Sequence, residues 1–311
     1  MKRFKVHVNI DEPHDINKDN YEKYVKHDPH YEKKTAKGKR YYAVCPACDN
    51  PIQIIGMYQP LKDKRQNIGV HGKKDLPYIA VYDEVAYRMC PYKSDAKKSI
   101  TKILLNQPGE LNISIYNTVH DHFDKVIYMV KQILRMHISH ALAKVLLDGY
   151  IASDGFMYSW ATLYNIPWML LYMNQPISMS KRVLLPDSPL YGFFSNEEGV
   201  SLEEVCKKNG DLYGYKIVHG WEKEYRMDFW RHHRDIIDDE VIETLRVRIC
   251  RREEVAEKTD VIDEWTPVFE YDVEIDEVRF PHLLCSKKAE IYKSQGLLDL
   301  ADEMMPELGL E

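Results

Sequence analysis

The chain has 311 residues, 44% apolar and 30% charged, ordinary values for a globular protein that folds in water. With 14 Gly and 15 Pro it is neither collagen-like nor a Pro/Gly-rich disordered chain. The net charge of −6 hides an asymmetry: residues 1–104 carry 21 Lys+Arg against 13 Asp+Glu, and residues 105–311 carry 22 against 36, so a front of +8 precedes a remainder of −14. Such a front can face a polyanion, the rest cannot do so uniformly, and attraction between the two parts is the simpler alternative.

The longest apolar run, Ile166 to Met173, has eight residues. A bilayer helix needs roughly 20. The opening MKRFKVHVNIDEPHD lacks the apolar core of a secretory signal, so an intracellular, cytoplasmic protein with no membrane partner is expected.

In chain order, residues 4–10 alternate apolar and polar and predict a strand. Residues 11–40 are polar and charged and predict a loop. YYAVCPACDNPIQIIGMY predicts two apolar strands around a Cys-Pro-Ala-Cys turn, and residues 59–76 predict turns. Ile79, Tyr82, Val85, Ala86 and Met89 recur at helical spacing, with Pro91 just beyond. Past Pro108-Gly109, Val119, Phe123, Val126, Ile127, Val130 and Leu134 form the stripe of one helix of about five turns. A second helix carries Leu142, Val145 and Leu146, and Pro167 opens a third. Residues 176–200 predict mostly loop, and Ser201-Leu-Glu-Glu204 is a capping box for a helix that Gly210 closes. Strands are predicted at 213–219, 244–250 and 268–276, then a helix near 287–304. The predicted fold class is α+β, divided into 1–104, a helical part 105–200, and 201–311.

The chemistry centres on Cys45-Pro-Ala-Cys48. Two thiolates two residues apart on a tight turn reach one ion, and a second pair must complete the site. His71, between Gly69-Val70 and Gly72, and Cys90 give the pattern C-x2-C-x22-H-x18-C, a closed Cys3His zinc set that folds a domain but leaves no position for substrate. His27 and His30 are alternatives to His71, in a polar stretch. A redox C-x-x-C expects a helix after the motif, whereas Asp49-Asn50-Pro51 and an apolar strand follow. The remaining three cysteines, Cys206, Cys250 and Cys285, read as small buried hydrophobes.

Ten of the 22 tyrosines lie in residues 1–104. A basic, Tyr-rich surface suits stacking on unpaired bases, and Lys33, Lys34, Lys37, Lys39 and Arg40 are its densest run; a solvated tail is the plainer reading. Three further clusters are weighed for metal chemistry. His120, His122 and Asp124 precede His137 and His140, but along a continuous helix His120 and His137 stand about 25 Å apart. His232 and His233, with Glu270, Asp272, Glu274 and Asp276, compose a candidate nuclease site. Against it, Arg246 and Arg248 on a neighbouring antiparallel strand would meet those acids across the ladder.

The front third resembles zinc-ribbon and treble-clef modules in a generic way over about 50 residues, a resemblance that implies no specific activity. The expected function is a zinc-binding protein without catalysis, contacting nucleic acid or an acidic protein surface. The alternatives are a metal-dependent hydrolase and an adaptor with no nucleic-acid role.

Overall fold

The computed structural model describes residues 1–35, 38–58, 67–93, 103–220, 223–237, 240–253, 265–287 and 289–306, and the fold is α+β. The expected opening strand is short: β1 (Arg3–Phe4) pairs with β2 (His14–Asp15), and the chain then bends. The segment expected to be loop holds α1 (Lys18–Val25), which Asn17 caps by accepting from Asn20 N at 2.8 Å. Tyr21 and Val25, four apart, bury its inner face. A four-stranded antiparallel sheet follows in the order β3 (Glu32–Thr35), β4 (Gly38–Val44), β5 (Pro51–Ile55), β6 (Ile68–His71). The pairs Ala43↔Ile52 and Ile52↔His71 lie on one face of the sheet, and Tyr42↔Gln53↔Val70 on the other. β6 was expected to be turn, because it lies in the basic, polar stretch 59–76. α2 (Glu84–Met89) is shorter than predicted, since Asp83 caps it through Val85 N and Ala86 N.

The predicted five-turn helix is two: α3 (Glu110–Asp121) and α4 (Phe123–Leu134) break at His122, whose φ −132° and ψ 28° leave the helical region. The apolar stripe is buried as its period requires, and the break lets both helices lie against the last helix of the chain. α5 (His140–Ala152) and α6 (Ile166–Tyr172) follow. Every residue of α6 is buried, and it packs on α4 and α5.

β7 (Ile177–Ser178), β8 (Val183–Leu184) and α7 (Pro189–Asn196) occupy the next stretch, predicted mostly as loop. The capping-box helix is not formed. Residues 200–206 are β9 (Val200–Cys206), paired along its length with β10 (Leu212–His219). Gly210, at φ +89°, closes the turn between them, so a hairpin outweighs a four-residue capping signal. β11 (Lys223–Ile237), β12 (Glu240–Glu253), β13 (Thr266–Glu274) and β7 form a sheet in the order β13-β12-β11-β7. β12 and β13 are antiparallel, with Arg246 opposite Asp272 and Arg248 opposite Glu270, as the sequence led us to expect. A bulge at Trp230 reverses the alternation of β11: Tyr225, Met227 and Phe229 are buried before it, His232 and Arg234 after it. α8 (Arg279–Cys285) precedes the helix predicted near 287–304, of which the second half forms α9 (Gln295–Met304). Among the described residues, no helix is long and apolar enough to cross a membrane.

Candidate metal centre

The turn from Cys45 to Asn50 links β4 to β5. It closes with Cys45 N donating to Asn50 O at 2.9 Å and Asp49 N to Cys45 O at 3.2 Å, with Asp49 left-handed at φ +56°. Buried Lys5 pairs with Asp49 and ties the turn to the N-terminal segment. His71 ends β6 on the face shared with Ala43 and Ile52, the face toward which Cys45 leads. Gly69, two residues earlier, is required by close packing: a Cβ there would stand 2.9 Å from Ile52 Cδ1 and 3.0 Å from Met1 Cγ. Cys90 is the C-cap of α2.

These elements bring the donor atoms of Cys45, Cys48, His71 and Cys90 within 4.8 Å of one another, a set that can hold a metal ion. Cys45 Sγ and Cys90 Sγ are 3.7 Å apart, and His71 Nε2 is 3.4 Å from Cys48 Sγ and 3.5 Å from Cys90 Sγ. All three thiols are free and buried. Burial pushes Cys48 and Cys90 well up; Cys45 feels the same burial, but hydrogen bonds from its sister thiols and the charge of His71 outweigh it and hold it well below the ordinary thiol range.

Asn50 joins the two halves of the set. Fully buried, it donates Nδ2 to Asp83 O at 3.0 Å and approaches Cys48 Sγ at 3.4 Å. Its Oδ1 accepts from Asp83 N at 2.8 Å. Asp83 in turn caps the helix that delivers Cys90. Sequence reasoning missed Asn50, since its partner lies 33 residues away.

The other candidates do not converge. His27 is left-handed at φ +56°, and His30 bonds Asp28 at 2.7 Å. His120 lies between Asp121 and Asp302, Asp124 is buried and accepts from Lys125 N and Ser294 N, His137 meets Tyr213 OH at 2.7 Å, and His140 meets Gly296 O at 3.0 Å. The nuclease set is split by the sheet. His232 is buried on the core side, whereas His233 sits opposite Thr244, which pairs with Glu274. Asp272 is held by Arg246 through two bonds of 2.7 Å. Asp276 lies beyond β13 and accepts from Val278 N at 2.9 Å.

His232 belongs instead to a buried polar network that the sequence did not reveal. Glu243 accepts from His232 Nε2 at 2.7 Å, Tyr164 OH at 2.7 Å, Asn165 Nδ2 at 2.8 Å and Arg234 Nε at 2.8 Å. Tyr158 OH stands 3.0 Å from His232 Nδ1. Burial alone would raise Glu243; the Arg234 charge, then His232, outweigh it and hold the carboxyl well below its ordinary range. Burial also pushes His232 down, consistent with a neutral ring that donates from Nε2 and accepts at Nδ1.

Of the basic run, Lys33 faces Arg40 and Lys34 faces Lys39 across the β3–β4 hairpin, while Lys37 lies outside the described residues. Lys39 pairs with Glu32 at 2.9 Å, and Lys33 lies over the Tyr42 ring at 5.6 Å. No family model, no curated protein and no solved structure matches this chain.

Proposed function

We propose that the chain is an intracellular, non-enzymatic zinc-binding protein whose metal is structural and whose basic hairpin contacts nucleic acid. The donor–donor distances carry the zinc reading. A zinc tetrahedron with thiolate bonds of about 2.3 Å and an imidazole bond of about 2.0–2.1 Å has sulfur–sulfur edges of about 3.8 Å and sulfur–nitrogen edges of about 3.6 Å. The separations of 3.7, 3.4 and 3.5 Å fit those edges. Three soft thiols and an imidazole suit zinc, and four protein ligands leave no open position for a substrate or an activated water, which supports a structural role. Metal analysis of the purified chain, with X-ray absorption at the zinc edge, is expected to give one zinc with three sulfurs and one nitrogen. Protein free of zinc, or a site with open positions, would overturn the reading.

The nucleic-acid part rests on the hairpin. Like charges directly opposite one another destabilise a ladder. Lys33↔Arg40 and Lys34↔Lys39 do so here, and among the described residues only Lys39 of the four has an acidic partner. A polyanion supplies the missing counter-charge, and the face that carries Lys33 and Arg40 continues through half-buried Tyr42 and Gln53 to Val70, a surface on which bases can stack. Affinity is expected to fall with salt, with a log–log slope of about −0.7 per phosphate contact on single strands. Alanine at Lys33, Lys34, Lys39 and Arg40 should weaken binding and flatten that slope while leaving the zinc in place. A gel-shift titration at low salt decides: no shift with DNA or RNA at micromolar protein removes nucleic acid and leaves an acidic protein surface as the partner.

A further inference from the structure

Between the metal turn and the start of α3 lies a groove of about 530 Å³. Val8, Leu76, Tyr78, Val81 and Ile113 give it apolar surface, and every charged residue that lines it is an acid: Asp49, Asp75, Asp83 and Glu110. Two of the four are already engaged. Asp49 pairs with buried Lys5, and Asp83 caps α2. Asp75 and Glu110 are exposed, and among the described residues no base pairs with either. Asp75 Oδ1 accepts from Tyr82 N at 2.9 Å, while nearby Lys73 lies over the Tyr87 ring at 5.3 Å.

The apolar surface is open to water: Tyr78 is 84% exposed, Val81 67% and Val8 38%. Tyr78 is also strained. Leu76 to Ile79 form a turn closed by Ile79 N donating to Leu76 O at 3.0 Å, with Pro77 second and Tyr78 third. Tyr78 has φ +70°, in the place where a turn that begins with proline ordinarily takes glycine. A bulky ring is disfavoured there. His30 packs beside the ring at 4.4 Å, and the rest of it faces solvent. A ring so placed adds little to the core, and strain of this kind gathers where a protein meets a ligand.

Two unmatched acids beside open apolar surface are complementary to apolar side chains flanked by bases, and they repel a polyanion. We propose that the groove docks a protein partner through a short segment in which apolar residues alternate with Lys or Arg. The apolar side chains cover Leu76, Val81 and Ile113, the bases face Asp75 and Glu110, and the Tyr78 ring receives one base on its face. This surface is separate from the basic hairpin and depends on neither the hairpin's ligand nor the identity of the metal.

Isothermal titration of the full chain with a capped pentapeptide of alternating lysine and leucine tests this. The controls replace leucine by serine or lysine by glutamate. The lysine–leucine peptide is expected to bind at least about tenfold more tightly than either control. Asp75→Asn combined with Glu110→Gln keeps the acceptor for Tyr82 N, removes both charges and should weaken that peptide by about three- to tenfold. Tyr78→Gly should weaken it by about threefold or more while leaving the urea midpoint unchanged or higher, because glycine relaxes the turn. A midpoint that falls would make the ring a folding element and overturn its role in docking. No heat at roughly millimolar peptide would overturn the site. Equal affinity in the unmodified chain and both variants would place the peptide elsewhere on the acidic surface and overturn the groove. Dimerisation in ultracentrifugation that Tyr78→Gly abolishes, with no peptide bound, would give the groove to a second copy of the chain and overturn the peptide.

Discussion

At the scale of single residues, the candidate metal site depends on a side chain that touches no metal. Asn50 bonds both the Cys48 region and the backbone of Asp83, so Asn50→Ala should lower zinc affinity by about 10–100-fold, measured by chelator competition. The four donors were legible because thiolate spacing and a glycine-flanked histidine are local signals. Asn50 was not, because what makes it matter is a contact between distant segments. Glu243 was hidden for the same reason: in sequence it is one more acid on a strand, and only the fold gives it four partner side chains. Its carboxyl is held low in the folded chain, so its contribution to stability is present above the ordinary carboxylate range and is lost as pH falls toward the folded value. Glu243→Ala leaves Arg234 buried and unpaired and should cost about 3–5 kcal/mol in urea unfolding near neutral pH.

Elements formed where pattern and pairing agreed, and departed from expectation where a longer-range partner decided. α6 and the strands around the Cys-Pro-Ala-Cys turn were legible from continuous apolar runs. β9 was not, because seven residues of pairing with β10 outweigh a capping box that acts over four. β11 escaped because its bulge breaks the period-two signal in the middle. The β12–β13 register was legible from charge alone, and it limits what that charge is worth. Arg246 and Asp272 are both well exposed, so Asp272→Asn should change stability by no more than about 1 kcal/mol, as read from urea midpoints. A larger loss would mean that the pair fixes the register as well as decorating it.

For the whole molecule, the charge asymmetry is partly satisfied internally. Arg3 bonds Glu277 at 2.7 Å, a base of the front third on an acid of the C-terminal part. The metal turn is wedged in the same way: Ala47, Cys48 and Cys90 line one small void with Leu111 and Ala161, and Pro46 lines another with Leu163 and Pro281. With the proposed zinc bound, Cys48→Ser is expected to forfeit metal-binding free energy of order 10 kcal/mol. Calorimetry of that variant should show the main unfolding transition shifted down, with no untouched transition left at the original temperature. The bulge at Trp230 has a consequence for how this chain tolerates changes in length. Side chains on a strand obey parity, and the bulge absorbs one extra residue, so that Phe229 before it and His232 and Arg234 after it all face inward. Deleting Trp230 alone would leave an unbroken ladder, with Phe229 still opposite Val247 and His232 still opposite Leu245, and His232 and Arg234 would stay on Glu243. A deletion or insertion that the bulge does not absorb would turn the residues beyond it to the wrong face. A single deletion in this strand is therefore tolerable at the bulge and damaging away from it.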